Sequence, residues 1–374
     1  MTRVFVHIGL QKTGTSYLQN VCWSSREDLA TQGVTMVPGG RIETFWLALD
    51  VRERIAPTDS PRVGRSVEML PGQLAAVTTR SALITHETLG SATPAQIRRL
   101  LDACAGHEVH VVVTVRDIAR QVPSLWQEGL KAGRTDTLEE YVAALRSATS
   151  RTGVVWRRLD LAGVLRRWSA HVPAERIHVV TVPGPGGRRE ALLERYCSVL
   201  GVPVEGLDLA TAGPGNPGLG AAEAELLRRV NNRLPDRYRR RVPYGEVGKR
   251  WFAMGILAAR GTTPVRLGRE HEAWCGEIAE ESLLTLAELG CDVVGEPSDL
   301  VPDPSVFTDA TGVDEAAVLE VATRALGEVL EQRLEARMEH LAGAGSAQPG
   351  PAGTARRAAG RLRQVLRSAV RRAG

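Results

Sequence analysis

The chain has 374 residues, 43% of them hydrophobic and 24% charged, a composition that buries a core and excludes wholesale disorder. At roughly 150 residues per domain, this length allows two or three domains, or one large α/β domain with additions. The formal charge of +4, from 47 basic and 43 acidic residues, is too mild to mark a specific nucleic-acid binder. No apolar run approaches the roughly 18 residues of a bilayer span. The stretch Val4 to Gly9 is too short for a signal peptide, so the cytoplasm is the expected compartment. Five scattered cysteines (Cys22, Cys104, Cys197, Cys275, Cys291) include no Cys-x-x-Cys pair, which argues against a disulfide framework and structural zinc.

In chain order, β-rich runs at Val4–Ile8, Ala82–Thr85, Val109–Val115 and Ile177–Val182 alternate with helical patterns. Those helices are expected at 15–31, 94–104, 117–131, 137–147, 159–171 and after Gly187. Val111 to Val115 is apolar without alternation, as in a strand covered on both faces. The pattern predicts an α/β protein, a three-layer parallel sheet of nucleotide-binding type. The Pro/Gly-rich run 213–218 breaks it. Mainly helical additions follow, at 221–233, 246–259, 270–289 and 313–341. Residues 1–300 are read as the α/β domain with helical insertions, 301–341 as a C-terminal helix, and 342–374 as a linker and tail.

The first strand enters Gly9-Leu10-Gln11-Lys12-Thr13-Gly14-Thr15-Ser16-Tyr17. Glycines permit a tight turn, and a helix opening at Gly14-Thr15-Ser16 presents unpaired N–H groups and a positive dipole end. Lys12 and the hydroxyls of Thr13, Thr15 and Ser16 complete a phosphate cradle. The lysine precedes the glycine by two places, so this is not the nucleoside-triphosphate loop Gly-x-x-x-x-Gly-Lys-[Ser/Thr]. The strand Val111–Val115 ends in Arg116-Asp117, with Ser124 about two helical turns on. An arginine and a hydroxyl at a strand's C-terminal end suit a phosphate monoester.

Lys12-Thr13-Gly14-Thr15-Ser16 resembles the 5′-phosphosulfate loop of bacterial sulfotransferases that use 3′-phosphoadenosine 5′-phosphosulfate (PAPS). Arg116 and Ser124 resemble that family's 3′-phosphate pair. The resemblance covers roughly residues 3–205 and is sharp only near 9–19 and 116–127. It implies a transferase whose donor is PAPS, released as adenosine 3′,5′-bisphosphate, with no metal. It also implies donor-binding roles for Gly9, Gln11, Lys12, Thr13, Gly14, Thr15, Ser16 and Tyr17, the last in place of the usual Trp. The strand 82–85 delivers His86-Glu87, where the family places its general base; His86 is expected in that role, with Glu87 orienting it or taking the role itself. Lys12 is expected to offset charge on the leaving phosphate. The family's Arg-Lys-Gly segment is missing, and Arg188 or Arg189 is a candidate replacement.

The acceptor (a small molecule, carbohydrate or lipid) would be bound by segments such as 38–75, where Trp46 lies, and 130–158, with Trp126 and Trp156 in reach. A phosphoryl-transfer enzyme using ATP and a non-catalytic nucleotide-binding protein are the rival readings. After Glu339 there is no acidic residue, and seven arginines fall in the last 19 residues. Residues 354–374 read as a basic amphipathic helix open to peripheral membrane contact, or as a solvated tail.

Overall fold

The computed structural model describes residues 2–346, apart from 149, 150, 152, 189, 210–217, 240, 259–262 and 311. The chain divides into two units, Met1–Val318 and Leu319–Gly374. In the first unit the strands are β1 (Arg3–His7), β2 (Val34–Met36), β3 (Ser81–Thr85), β4 (Glu108–Val115), β5 (Ile177–Thr181), β6 (Leu267–Gly268), β7 (Asp292–Val294) and β8 (Phe307–Thr308). Six of them form one sheet in the order β2-β3-β1-β4-β5-β7, and every neighbouring pair is parallel. β6 and β8 pair separately.

The apolar runs do not alternate because both faces of the sheet are covered. Val4, Val6, Ile84, Val111, Val113 and Val179 enter one core; Phe5, Leu83, Val112 and Val180 enter the other. The second core is closed by α1 (Thr15–Ser24) and α2 (Arg26–Thr31), the first by α3 (Arg41–Val51), α4 (Ser66–Ala75) and α5 (Pro94–Ala103). α6 (Ile118–Leu130) leaves the tip of β4, and α7 (Leu138–Arg146) follows it. α8 (Leu161–Ser169) joins the first core through Val164, Leu165 and Trp168; α9 (Glu190–Leu200) joins the second through Leu192 and Tyr196. The expected three-layer α/β sheet is therefore present.

The later helices are α10 (Ala221–Arg233), α11 (Arg241–Tyr244), a π-helix over Gly245–Leu257, α12 (Glu272–Leu289) and α13 (Glu315–Ser346). The last extends five residues beyond the expected 341. Ser25 divides the helix expected over 15–31: its buried hydroxyl accepts from the Asp208 N–H at 2.7 Å. The segment 38–75 contains α3 and α4, the latter with Pro71 inside it. Among the described residues no helix is long and apolar enough to cross a membrane. The basic tail at 354–374, Arg189 and most of the 213–218 loop lie outside the described residues.

Candidate active site

The loop after β1 is built on three left-handed residues: Gly9 (φ 69°), Lys12 (φ 66°) and Gly14 (φ 83°). For Lys12, which carries a Cβ, that conformation costs about 1–2 kcal/mol. The surroundings hold it. The Leu10 N–H donates to Thr114 O at 2.6 Å, and Gln121 Nε2 donates to Gln11 O at 2.8 Å. Gly14 forms the N-cap of α1 without any side-chain cap. Among the described residues, no hydrogen bond uses the backbone N–H of Lys12, Thr13, Gly14, Thr15 or Ser16. Five consecutive free donors at a helix start can accept an anion.

The Thr13 hydroxyl is engaged inside this loop. It donates to Leu10 O at 2.6 Å and lies 2.8 Å from the Thr114 hydroxyl. Thr114 in turn meets His7 Nε2, and His7 Nδ1 meets the Thr85 hydroxyl. This buried chain ties the loop to β1, β3 and β4, leaving Thr13 only its backbone N–H for a ligand. Burial pushes His7 down to about 4, so it stays neutral and structural.

The turn after β3 is joined to the same loop. The His86 N–H donates to His7 O and the Gly90 N–H to Ile8 O, at 2.9 and 3.1 Å. A Cβ on Gly9 would lie 2.7 Å from Glu87 Cβ, so the glycine is what admits Glu87 to the loop. The Glu87 carboxylate accepts from Gln19 Nε2 at 3.0 Å. Burial works to raise that carboxyl, but His86 when protonated, the residue's own N–H and Gln19 hold it below the usual carboxylate range.

His86 Nδ1 accepts from the Thr88 N–H at 3.3 Å. A backbone N–H can only donate, so the lone pair is on Nδ1 and the ring proton on Nε2. Burial lowers its pKa, which keeps it neutral. The two candidates thus differ: Glu87 offers an ionised acceptor, while the one imidazole lone pair of His86 is already in use.

Lys12 Nζ lies 3.3 Å from Glu128 Oε2, and Lys249, from the π-helix, lies 2.5 Å from Oε1. Lys131 is buried beside them. Burial and the two other lysines push it down to about 8. The Glu128 carboxyl is held down to about 2 by the three lysines despite burial. Sequence reasoning missed this group, although Glu128 falls seven residues after Gln121 and so shares its helix face.

Arg116 stands at the tip of β4 in a narrow cleft with Leu10, Gln121, Leu159 and Ser282. Its Nε is buried without a partner, and burial with Arg120 nearby lowers it to about 10. Ser124 does not line that cleft; its hydroxyl donates to Arg120 O at 2.9 Å. Arg120 pairs with Asp117 and donates to Pro183 O at 3.1 Å, clamping the β4 tip to the loop after β5. Arg188 forms an exposed ion pair with Glu194.

Trp126 and Trp156 are buried, with their N–H groups donating to Asp136 O and Leu145 O. Trp126 also borders a cavity of about 800 Å³ with Leu138, Arg228, Arg229 and His271. That cavity lies on the side of α6 turned about 140° from Gln121. Its Arg228 and Arg229 are already paired with Glu225 and Glu315.

No family model and no curated protein matches the chain. Among solved structures, that of a sulfotransferase from Alicyclobacillus acidocaldarius is similar, at 18% identity and a TM-score of 0.38, over 63% of this chain and 98% of that one.

Proposed function

We propose that the chain is a PAPS-dependent sulfotransferase acting on an acceptor hydroxyl or amine. The observation that carries this reading is the meeting, beyond the C-terminal ends of the neighbouring strands β1 and β3, of five free N–H groups, Lys12 and an ionised Glu87. The residues fit the donor. The loop offers a nest for its 5′-phosphosulfate, and the partnerless Nε of Arg116 offers a cation for a second phosphate. When bound, PAPS supplies the sulfuryl group and the phosphate that departs from it.

Glu87 takes the proton from the acceptor oxygen, with Gln19 fixing the direction of its carboxylate. His86, protonated on Nε2, is a donor and acts as a positioning group. Lys12 offsets the negative charge on the departing phosphate oxygen. Its ion pair with Glu128 is part-exposed, so an arriving anion can reach the ammonium and compete with the carboxylate for it.

Thermal shift with adenosine 3′,5′-bisphosphate against ADP, each with and without magnesium, tests the reading. The bisphosphate should stabilise the chain without metal and more than ADP does, by about 2.7 kcal/mol at a hundredfold excess over its dissociation constant. A preference for ADP with magnesium would move the chain to phosphoryl transfer. Bisphosphate binding combined with turnover indifferent to Glu87→Gln would make it a binding protein.

A further inference from the structure

Five arginines converge behind the His86–Glu87 turn: Arg52 and Arg54 just after α3, Arg157 and Arg158 in the 3-10 turn Trp156–Arg158, and Arg167 on α8. Arg52 donates to Thr88 O and Arg167 to Gly90 O at 3.2 Å, so two backbone carbonyls of the 3-10 turn Glu87–Ser91 are held by guanidinium groups. Among the described residues none of the five forms an ion pair, and the side chains of Arg54, Arg157 and Arg158 make no hydrogen bond. The Nε atoms of Arg52, Arg157 and Arg167 are buried without a partner.

The nearby carboxylates form their hydrogen bonds elsewhere: Asp50 pairs with Arg99, Glu53 accepts from Gln96, Asp160 caps α8 through the Gly163 N–H, and Glu87 accepts from Gln19. Of these, Asp160 also lends its charge to Arg167. The guanidinium groups feel one another: burial first, then Arg54, Arg157, Arg158 and Arg167, lowers Arg52 to about 10. Arg116, by contrast, feels only Arg120 and Asp117. The chain therefore carries two separate cationic places, one at the loop and β4 tip, the other behind the base.

We infer that this cluster binds an oxyanion belonging to the acceptor, so that the acceptor is an acidic molecule bearing a carboxylate, phosphate or sulfate near its reacting hydroxyl. The inference rests on the sulfotransferase reading above. Guanidinium forks match planar and tetrahedral oxyanions by paired hydrogen bonds, and an anion among like charges relieves their repulsion. Arg52 holds the residue next to Glu87 and its charge reaches His86. An acceptor anchored there has its hydroxyl presented to Glu87, beside the donor loop.

The full chain, saturated with adenosine 3′,5′-bisphosphate, is titrated with sodium sulfate, phosphate or glucuronate, chloride keeping the ionic strength constant, and its melting temperature is followed. At least one oxyanion should raise it above the chloride baseline. Arg157→Gln with Arg158→Gln should weaken that binding at least tenfold, and the exposed Arg54→Gln should weaken it less, in the same direction. Arg62→Gln with Arg65→Gln, exposed arginines outside the cluster, should leave it unchanged. The bisphosphate shift, read before any oxyanion is added, tests the sulfotransferase reading by itself and shows that each variant is folded. If that shift is present but all three oxyanions match chloride, or the wild type and the Arg157/Arg158 variant respond alike, the cluster is not an acceptor site. If the bisphosphate shift itself is absent, the reading beneath the inference falls first.

Discussion

Two groups of cations flank the candidate base, and they are built in opposite ways. Lys12, Lys131 and Lys249 surround Glu128, a resident counter-ion. Among the described residues, Arg52, Arg54, Arg157, Arg158 and Arg167 form no ion pair with a carboxylate. The lysines are point charges balanced by one carboxylate, which suits a group that meets charge developing during bond breaking. Two of the arginines, Arg52 and Arg167, are anchored to backbone carbonyls, and the buried Nε atoms of Arg52, Arg157 and Arg167 are left without a partner, which suits recognition.

The comparison is sharpened most by the base itself. Glu87→Gln should lower kcat by roughly 10²–10⁴ with little change in bisphosphate affinity, measured by steady-state kinetics and calorimetry. His86→Gln should cost less than about tenfold. In the proposed mechanism the proton goes to ionised Glu87, whose pKa lies below the usual 4.5. The kcat profile should therefore stay flat between pH 5 and 7 and fall as pH drops through that lowered value. An acid limb above pH 4.5 would take the role away from Glu87. Next, Lys12→Met should lower kcat by about 10²–10³; a loss confined to KM would make Lys12 a mere binding cation.

Glu128 tests the lysine group through stability. Its folded pKa of about 2 lies below the unfolded 4.5, so its contribution is complete above pH 4.5 and is lost as pH falls toward 2. The upper bound is on the order of 3 kcal/mol, reduced by the 27% exposure of the side chain. Glu128→Gln should flatten the melting temperature over that range; an unchanged slope would mean that the lysines do not depend on it. Gly9→Ala should cost about 1–3 kcal/mol and slow turnover as well, since the new Cβ strikes Glu87. The smallest effect belongs to Arg188→Gln, under about 0.5 kcal/mol with unchanged bisphosphate affinity. A large loss of affinity there would return Arg188 to the donor site.

The central sheet was legible because β1, β4 and β5 are doubly covered and hence continuously apolar. β2 and β7, three residues each, are too short to show a period. α3 and α4 were hidden by Pro38-Gly39-Gly40 before them and by Pro71 within, all of which read as loop. The loop around Lys12 and the pair His86-Glu87 stood out as local motifs, but the choice between the two bases depends on a Thr88 N–H that no motif encodes. The arginine cluster joins residues 52–54 to 157–167, about a hundred positions apart, so only the packing of the turn after β3 against Trp156–Arg158 brings it into view.

The hydrogen bonds that join the loop to the β3 turn have one more consequence. The amides of Ile8, Leu10, His86 and Gly90 all donate to carbonyls of the central strands or their extensions, continuing the ladder past the strand ends. They should exchange with deuterium only when the sheet opens as a cooperative unit, at the same free energy as β1. The Thr15 and Ser16 amides, a few residues away, should exchange within the dead time of the free chain and become protected when an anion covers them. A fixed floor beneath an open mouth makes amide exchange a direct reporter of occupancy, readable before any acceptor is known.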